Sequence, residues 1–336
     1  MSRIDDHLPQ HAIARMEHPR LPWLCVSDGH AGNRRQAEAL AHALGQGDAP
    51  HLTLLPSVWA EALAPRHFPG AARALGDGLA RALAHPPEVV IGCGRQAALA
   101  TRLLRRAGSR AIQILDPRID ARHWDRVIVP MHDPLRGDNV IPMLGSLNEV
   151  DDLWLAQARH DFPRLAEAAT PRIALLVGGP SKHWSMDDAG FRIALTGLVE
   201  AITAGGGSLL ATASRRTPEA WRAMLRSAGA ELAWCDDRDG ANPYRGLLGW
   251  ADAIVCTADS VNMLSEACAT TVPVYIIGGE RLQGRPRQFL DAMLASGRVR
   301  TFDGDLAAFP VTPLRETARV AALLHDWLET VRPTVG

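Results

Sequence analysis

The chain has 336 residues, with 36 Lys and Arg against 37 Asp and Glu and a net charge of −1. Its composition, 47% hydrophobic and 22% charged, is globular, and the length exceeds what one ordinary core organises, so two domains are expected. The charge balance excludes a surface built to coat DNA or RNA, and 5% aromatic content leaves few platforms for stacking bases, so no nucleic-acid partner is expected.

Residues 1–22 are polar, rich in His and Pro and without an apolar centre, which reads as a flexible tail and not a signal peptide. No apolar run approaches the roughly 18 residues of a membrane span. The five cysteines (Cys25, Cys93, Cys235, Cys256, Cys268) form no CxxC pair. Cys25, Cys93 and Cys256 fall in or beside predicted buried strands and read as small hydrophobes in a reducing compartment. A soluble cytoplasmic protein is the expectation.

The first strand spans 23–26 and runs into Ser27-Asp28-Gly29-His30-Ala31-Gly32-Asn33. A helix over 34–44 follows, with Ala37, Leu40, Ala41 and Leu44 at helical spacing. The alternation continues with a strand at 52–55, a helix at 71–84, and a strand at 88–91 that ends at Gly92-Cys93-Gly94-Arg95-Gln96. That loop opens a helix to residue 104. Strands at 111–115, 126–129 and 139–142 complete the half, the first ending at Asp116-Pro117 and the second leading into Pro130-Met131-His132-Asp133. Ser146 and Asn148 precede a helix with an acidic start (Glu149, Asp151, Asp152). The stretch 166–171 reads as a linker, which sets a boundary near 168–170.

The second half repeats the pattern. A strand at 173–177 ends at Gly178-Gly179-Pro180-Ser181-Lys182-His183, and a helix covers 187–204. A strand at 208–212 ends at Ala213-Ser214-Arg215-Arg216-Thr217-Pro218, with Pro218 placed to start a helix that runs to 227. A strand at 232–234 and a helix at 244–251 precede a strand at 254–256, the polar turn Thr257-Ala258-Asp259-Ser260 and a helix bearing Glu266. A strand at 274–277 and helices at 286–295 and 315–331 finish the chain. Repeated β-α alternation means parallel sheets covered by helices on both faces, and two such halves leave a cleft between them.

Each strand-end loop carries two readings. Residues 27–33 offer two glycines and a helix start where backbone can approach a ligand, with His30 or Asp28 as general base; the plain alternative is a tight turn capped by Asp28. The GGPSK loop offers backbone N–H groups, a hydroxyl and a cation, yet lacks the GxxxxGK[ST] spacing of a P-loop, and equally fits a Gly-Pro turn with a solvated lysine. Arg215 and Arg216 form a cationic pair that can face a diphosphate or solvent. Loops 178–183, 213–217 and 257–262 should meet on one carboxyl edge of one sheet, which favours ligand binding there. Gly94 reads first as a close helix-packing glycine, and His132 and Asp116 as strand-end residues able to contact an acceptor. His30, His132 and His183 are too dispersed for a zinc site, and no GxSxG elbow is present. Trp59, Leu63 and Phe68 read first as core, with contact at a membrane surface as the alternative.

Four stretches in order, SDGHAGNRRQAEALAHAL, LLVGGPSKHW, ATASRRTPEA and ADAIVCTADSVNMLSEACATTVPVYI, resemble the bacterial members of the elongated-mitochondria fission protein family, over residues 23–328. The resemblance implies a GT-B architecture: an acceptor-side Rossmann-like domain over 23–168, a donor-side one over 169–313, and a terminal helix over 314–331 packing back on the first. Residues 253–279 also resemble the donor-binding part of lipid II–forming N-acetylglucosaminyltransferases. That likeness implies Ser260 and Met263 beside the diphosphate, Glu266 on the ribose hydroxyls and Gln288 at the donor sugar. The glycine-rich amino-terminal loop of those enzymes is only partly kept here as GHAGN, and their Gln pair is reduced to Gln288 after Arg287.

The implied activity is metal-independent transfer of a sugar from a nucleotide sugar to a glycan or lipid-linked acceptor, in cell-surface or envelope glycoconjugate synthesis, with no cofactor besides the donor. Gly179, Ser181, Lys182, Arg215, Arg216 and Asp259 would complete the donor site, and Gly29, Gly32, Asn33, Gly94 and His132 the acceptor side. The protein would work in the cytoplasm or at the periphery of the inner membrane. The alternative is a non-catalytic scaffold of the same fold at a membrane surface. A nicotinamide oxidoreductase would need GxGxxG after the first strand, where this chain has SDGHAGN.

Overall fold

Short runs of Val, Ile, Leu and Ala that are apolar on both faces form strands buried on both sides, and here they build two all-parallel six-stranded sheets. The computed structural model describes residues 23–330; the tail expected over 1–22 and the last residue of the expected terminal helix lie outside the described residues. The first sheet contains β1 (Trp23–Ser27), β2 (His51–Thr53), β3 (Val89–Cys93), β4 (Arg110–Ile114), β5 (Arg126–Pro130) and β6 (Val140–Met143), in the order β2-β1-β3-β4-β5-β6. The second contains β7 (Arg172–Val177), β8 (Ser208–Ala213), β9 (Leu232–Trp234), β10 (Ala253–Thr257), β11 (Val274–Ile277) and β12 (Val299–Thr301), in the order β12-β11-β10-β7-β8-β9.

Helices connect these strands. In the first half they are α1 (Ala31–Ala43), α2 (Val58–Leu63), α3 (Ala71–Ala74), α4 (Asp77–Ala84) and α5 (Arg95–Arg106). After β6 come α6 (Asp152–Asp161), α7 (Asp188–Ala204), α8 (Glu219–Ser227), α9 (Tyr244–Trp250), α10 (Val261–Cys268), α11 (Arg285–Ala295) and α12 (Glu316–Thr330). Strand order reverses between β1 and β3 in the first sheet and between β7 and β10 in the second. At such a point the connections leave towards opposite faces, and a crevice opens beyond the carboxyl ends of the strands. Residues 28–33 and 94–95 flank the first crevice, and residues 178–183 and 258–262 the second.

Four details depart from the sequence reading. The single helix expected over 71–84 is two helices, because Gly76 at φ 104° adopts a backbone closed to ordinary side chains and breaks the run. The short α2 was not expected; Ser57 caps it by accepting from the Ala60 N–H. Trp59 and Leu63, read first as core, are instead 74% and 40% exposed, whereas Phe68 packs against the first core. The edge strand β12 also went unread.

The second core centres on an aromatic group: Trp221 stacks on Phe191 at 4.1 Å and meets Trp184 edge-on at 6.0 Å. Both indoles are buried, and both N–H groups are satisfied, Trp221 by Asp188 at 2.8 Å and Trp184 by the Gly278 carbonyl at 2.7 Å. Val320, Ala321 and Leu324 of α12 join the core of the first sheet. Thr317 and Glu316 of the same helix accept from the backbone N–H groups of Asn148 and Leu144, each at 2.9 Å. By contrast, Val150 and Leu155 join the second core. By packing, the chain therefore changes cores between β6 and α6, and that stretch is proposed as the domain division in place of the 168–170 boundary read from composition.

Candidate functional site

At the second reversal point, the polar side chains fasten one loop to another. Asp259, its side chain fully buried, accepts from the Gly179 N–H at 3.0 Å and from Thr257 Oγ1 at 2.6 Å, and pairs with Arg216 at 2.5 Å. Arg216 also donates to the Gly179 carbonyl at 2.9 Å, and Thr257 Oγ1 accepts from the Gly178 N–H at 2.8 Å. The loops after β7, β8 and β10 are thus one unit. The two glycines are required by closeness: a Cβ on Gly178 would lie 2.1 Å from the Asp259 carboxylate, and one on Gly179 would lie 2.2 Å from the Arg216 carbonyl oxygen. Arg216 and Asp259, expected on a diphosphate, hold each other instead. Lys182 and Arg215 are exposed and pair with no carboxylate among the described residues. Ser181 shapes the loop by accepting from the His183 N–H at 3.2 Å.

Helix α10 starts at this edge. Ser260 caps it, accepting from the Met263 N–H at 3.4 Å. Buried Arg298 holds the far end, donating to the carbonyls of Cys268 at 2.9 Å and Thr270 at 2.9 Å, where a cation also suits the helix dipole. Glu266, two turns in, is buried. Tyr244 donates its hydroxyl to Oε2, and Arg35 of α1 lies 3.5 Å from Oε1. Burial raises the Glu266 carboxyl above the usual carboxylate range, with Tyr244 and Arg35 opposing. The same helix meets the first half twice more. A Cβ on Gly32 would lie 2.3 Å from Asn262 Nδ2, and Ser265 Oγ accepts from the Ser146 N–H at 3.0 Å. Gly32, read as acceptor-side, is thus where α1 and α10 touch.

At the first reversal point, Asp28 accepts from Asn33 Nδ2 at 3.0 Å and from the His30 N–H at 3.1 Å. His30 Nδ1 is 3.2 Å from the same carboxylate, but the imidazole is 81% exposed. Gly29 has φ 82° and Gly94 φ 95°, and a Cβ on Gly94 would lie 2.6 Å from Asn33 Nδ2. This is a tight turn with Asp28 as its capping acceptor, and Asn33 faces outward from it.

The two edges face each other across a cleft of about 630 Å³. Asn33, Gly94 and His132 line it from the first half, together with Arg95, Asp116 and Arg118. His183, Val261, Asn262 and Arg285 line it from the second. Asp133 is buried and pairs with Arg285 at 3.1 Å without a hydrogen bond, a second ionic link between the halves. His132 next to it is half-buried, and burial lowers its pKa, with Asp133 opposing and Arg285 adding to the shift. Leu115 and Arg118 hold φ of 73° and 61°, left-handed values uncommon for such residues, in the loop on the cleft wall. Gln288 stands on the exposed face of α11 outside this lining; Arg285, one turn earlier, occupies the wall. Arg285, Asn262 and Arg118 were missed because nothing in their local sequence marks them. Among the described residues, no group of three or more His, Cys, Asp or Glu side chains is placed to hold a metal ion, and all five cysteines are buried.

Two parallel-sheet halves with reversal-point crevices facing one cleft define a GT-B-like α/β fold. Similar solved structures include the UDP-GlcNAc 2-epimerase of Methanocaldococcus jannaschii (13% identity, TM-score 0.55, 90% of this chain and 99% of that one). The UDP-GlcNAc 2-epimerase of Neisseria meningitidis bound to UDP-GlcNAc (11%, TM-score 0.52, 92% of each chain) and the spinosyn forosaminyltransferase SpnP (16%, TM-score 0.51, 92% and 95%) are also similar. At these identities the likeness shows the fold alone. The chain belongs to the mitochondrial fission ELM1 family, whose model matches residues 31–328. It is 30% identical over 273 residues to the mitochondrial fission protein ELM1 of Arabidopsis thaliana, covering 71% of this chain and 63% of that protein's length. An uncharacterized protein of Rickettsia prowazekii is 24% identical over 285 residues, covering 71% of this chain and 79% of its own.

Proposed function

We propose that the protein is a glycosyltransferase that binds a nucleotide sugar against the second sheet and transfers the sugar to an acceptor presented from the first. The observation that carries this reading is the facing of two reversal-point crevices across one cleft, whose volume of about 630 Å³ lies within the range of small-ligand sites. The diphosphate would sit at the first turn of α10 beside residues 178–183, where free N–H groups and the helix dipole favour anions. Lys182 and Arg215 would supply the positive charge that meets the departing diphosphate without a metal. Glu266 would take the ribose hydroxyls once Arg35 releases it, with Ser260 and Met263 in the turn above.

In the reaction, the acceptor oxygen forms a bond to the anomeric carbon as the bond to the diphosphate breaks, and the acceptor proton passes to a base. His132, read from the sequence as an acceptor-side contact, is better placed for that proton than His30 or Asp28. It lines the cleft, and its burial lowers its pKa and so favours the neutral form that can take a proton, whereas His30 points to solvent and Asp28 is held by Asn33. The acceptor would be a glycan or a lipid-linked glycan of an envelope or cell-surface glycoconjugate.

Calorimetric titration with UDP- and GDP-sugars tests this on wild type and Glu266→Ala. Wild type should bind one donor class, and the variant should bind it at least about tenfold more weakly, as expected for a lost charge-assisted hydrogen bond. Equal or absent binding in both proteins across the panel would refute it. One observation favours the scaffold alternative: both Glu266 oxygens are already engaged, by Tyr244 and Arg35. That reading expects no turnover of any donor, not even slow hydrolysis, alongside tight binding of a partner.

A further inference from the structure

Among the described residues, eight large apolar side chains are notably exposed, and four of them fall within nine positions. Leu55, Val58 and Trp59 are 77%, 79% and 74% exposed, and Leu63 is 40% exposed. The other four, Met131, Leu153, Ile193 and Leu323, are scattered singly, as is ordinary for a protein surface. Val58, Trp59 and Leu63 belong to α2, at a spacing that puts them on one side of the helix, while Ala60 is the α2 residue turned into the core. Among the described residues, none covers this face.

The helix is nevertheless held firmly. Ser57 caps it, the Ser57 N–H donates to the Ala74 carbonyl at 2.7 Å, and Arg95 donates to the Glu61 carbonyl at 2.5 Å. Arg102 reaches the Pro65 carbonyl at the end of the same turn. These bonds also fix the charge around the patch. Arg66 and Arg73 are exposed beside it, without a carboxylate partner among the described residues, and Arg95 and Arg102 close its other side. Glu61 is the lone carboxylate on α2. Over 57–106 the chain has seven arginines and three acidic residues, although its net charge is −1.

Exposed aliphatic groups and a tryptophan within a rim of arginines match the interfacial zone of a bilayer that carries anionic headgroups. Apolar side chains enter the acyl boundary there, Trp sits at headgroup level, and arginines meet the phosphates. We infer that α2 and residues 55–73 form a docking surface for an anionic membrane. No membrane span is required, and among the described residues no helix is long and apolar enough to form one. The surface adjoins the cleft: Arg95, which pins α2, also lines the cleft wall. A bilayer seated on α2 would lie at the first-half rim of the site. The inference stands apart from the transferase reading, since docking needs no donor and no turnover.

Flotation of the full chain with liposomes tests it directly. Wild type should float with vesicles of phosphatidylcholine and phosphatidylglycerol, remain unbound with phosphatidylcholine alone, and detach as salt is raised. Val58→Ser with Trp59→Ser should lower partitioning at least about tenfold, and each of Arg66→Ala and Arg73→Ala about fivefold. Leu153→Ser, an equally exposed apolar site on α6, should partition as wild type does. These positions are at the surface, and unchanged thermal unfolding curves would show the variants folded. Failure of wild type to float with anionic vesicles would overturn the inference. So would a double serine variant that partitions like wild type, or an α2 patch whose substitution abolishes self-association in ultracentrifugation while vesicle binding is absent.

Discussion

The carboxylates at the two reversal points have different tasks. Asp259, after β10, is fully buried and joins three loops through Arg216, Thr257 and Gly179. Asp28, after β1, caps its own turn and orients Asn33 at the cleft, joining nothing distant. The second half therefore presents a preformed, cross-braced edge, and the first a locally folded one. In the proposed transferase, this difference would let one side hold a constant donor while the other admits an acceptor. It also shows that a charged residue at a strand end can be a brace as readily as a ligand contact.

Substitutions should affect the two edges unequally, with the largest loss at Gly179. A Cβ there meets backbone of another loop, so Gly179→Ala should cost about 3 kcal/mol in denaturant unfolding. Gly94→Ala, whose Cβ would displace the Asn33 amide and lie 3.3 Å from Asp28 Oδ2 at a φ of 95°, should cost about 2 kcal/mol. Next, Asp259→Ala leaves Arg216 and the Gly179 N–H without their acceptor and should cost about 2 kcal/mol, reduced from the cost of breaking a fully buried pair because Arg216 is half exposed. Asp28→Ala should cost about 1 kcal/mol. Equal losses at the two carboxylates would remove the distinction.

Smaller effects concern the joint between the halves. Burial raises the Glu266 carboxyl in the folded protein, so folding favours its protonated form. Its contribution is fully present below the unfolded-state pKa and is lost as pH rises through the raised folded value. Glu266→Gln should remove that loss, and unfolding curves across pH 4 to 8 should show the variant gaining on wild type as pH rises. An unchanged difference across the range would contradict the assigned direction. Arg35→Met should shift stability by less than about 1 kcal/mol, because Arg35 is 59% exposed, yet strengthen donor binding by freeing Glu266.

Much of the fold could be read from residues alone. The runs LAW at 232–234 and VYII at 274–277 are strands because they are short, apolar and bounded by turn residues, and both fall where expected. Glycines at strand ends marked the reversal-point loops. What could not be read was pairing at a distance. Arg216 and Asp259 are 43 positions apart, and nothing local distinguishes an arginine that braces a loop from one that faces a phosphate. Likewise, the Tyr244 hydroxyl on Glu266 and the Arg285 contact with Asp133 exist only after the sheets assemble. The exposure of Trp59 was illegible for a similar reason: a helical apolar stripe has the same spacing whether it faces a core or solvent.

The second edge is proposed to bind a nucleotide diphosphate across the cleft from the first. A crystal structure of the protein grown with UDP tests it most directly. The diphosphate is expected between residues 178–183 and the first turn of α10, with Glu266 separated from Arg35 and turned to the ribose. Nucleotide bound at the first reversal point, or an empty cleft at saturating UDP with the Arg35–Glu266 contact intact, would contradict it.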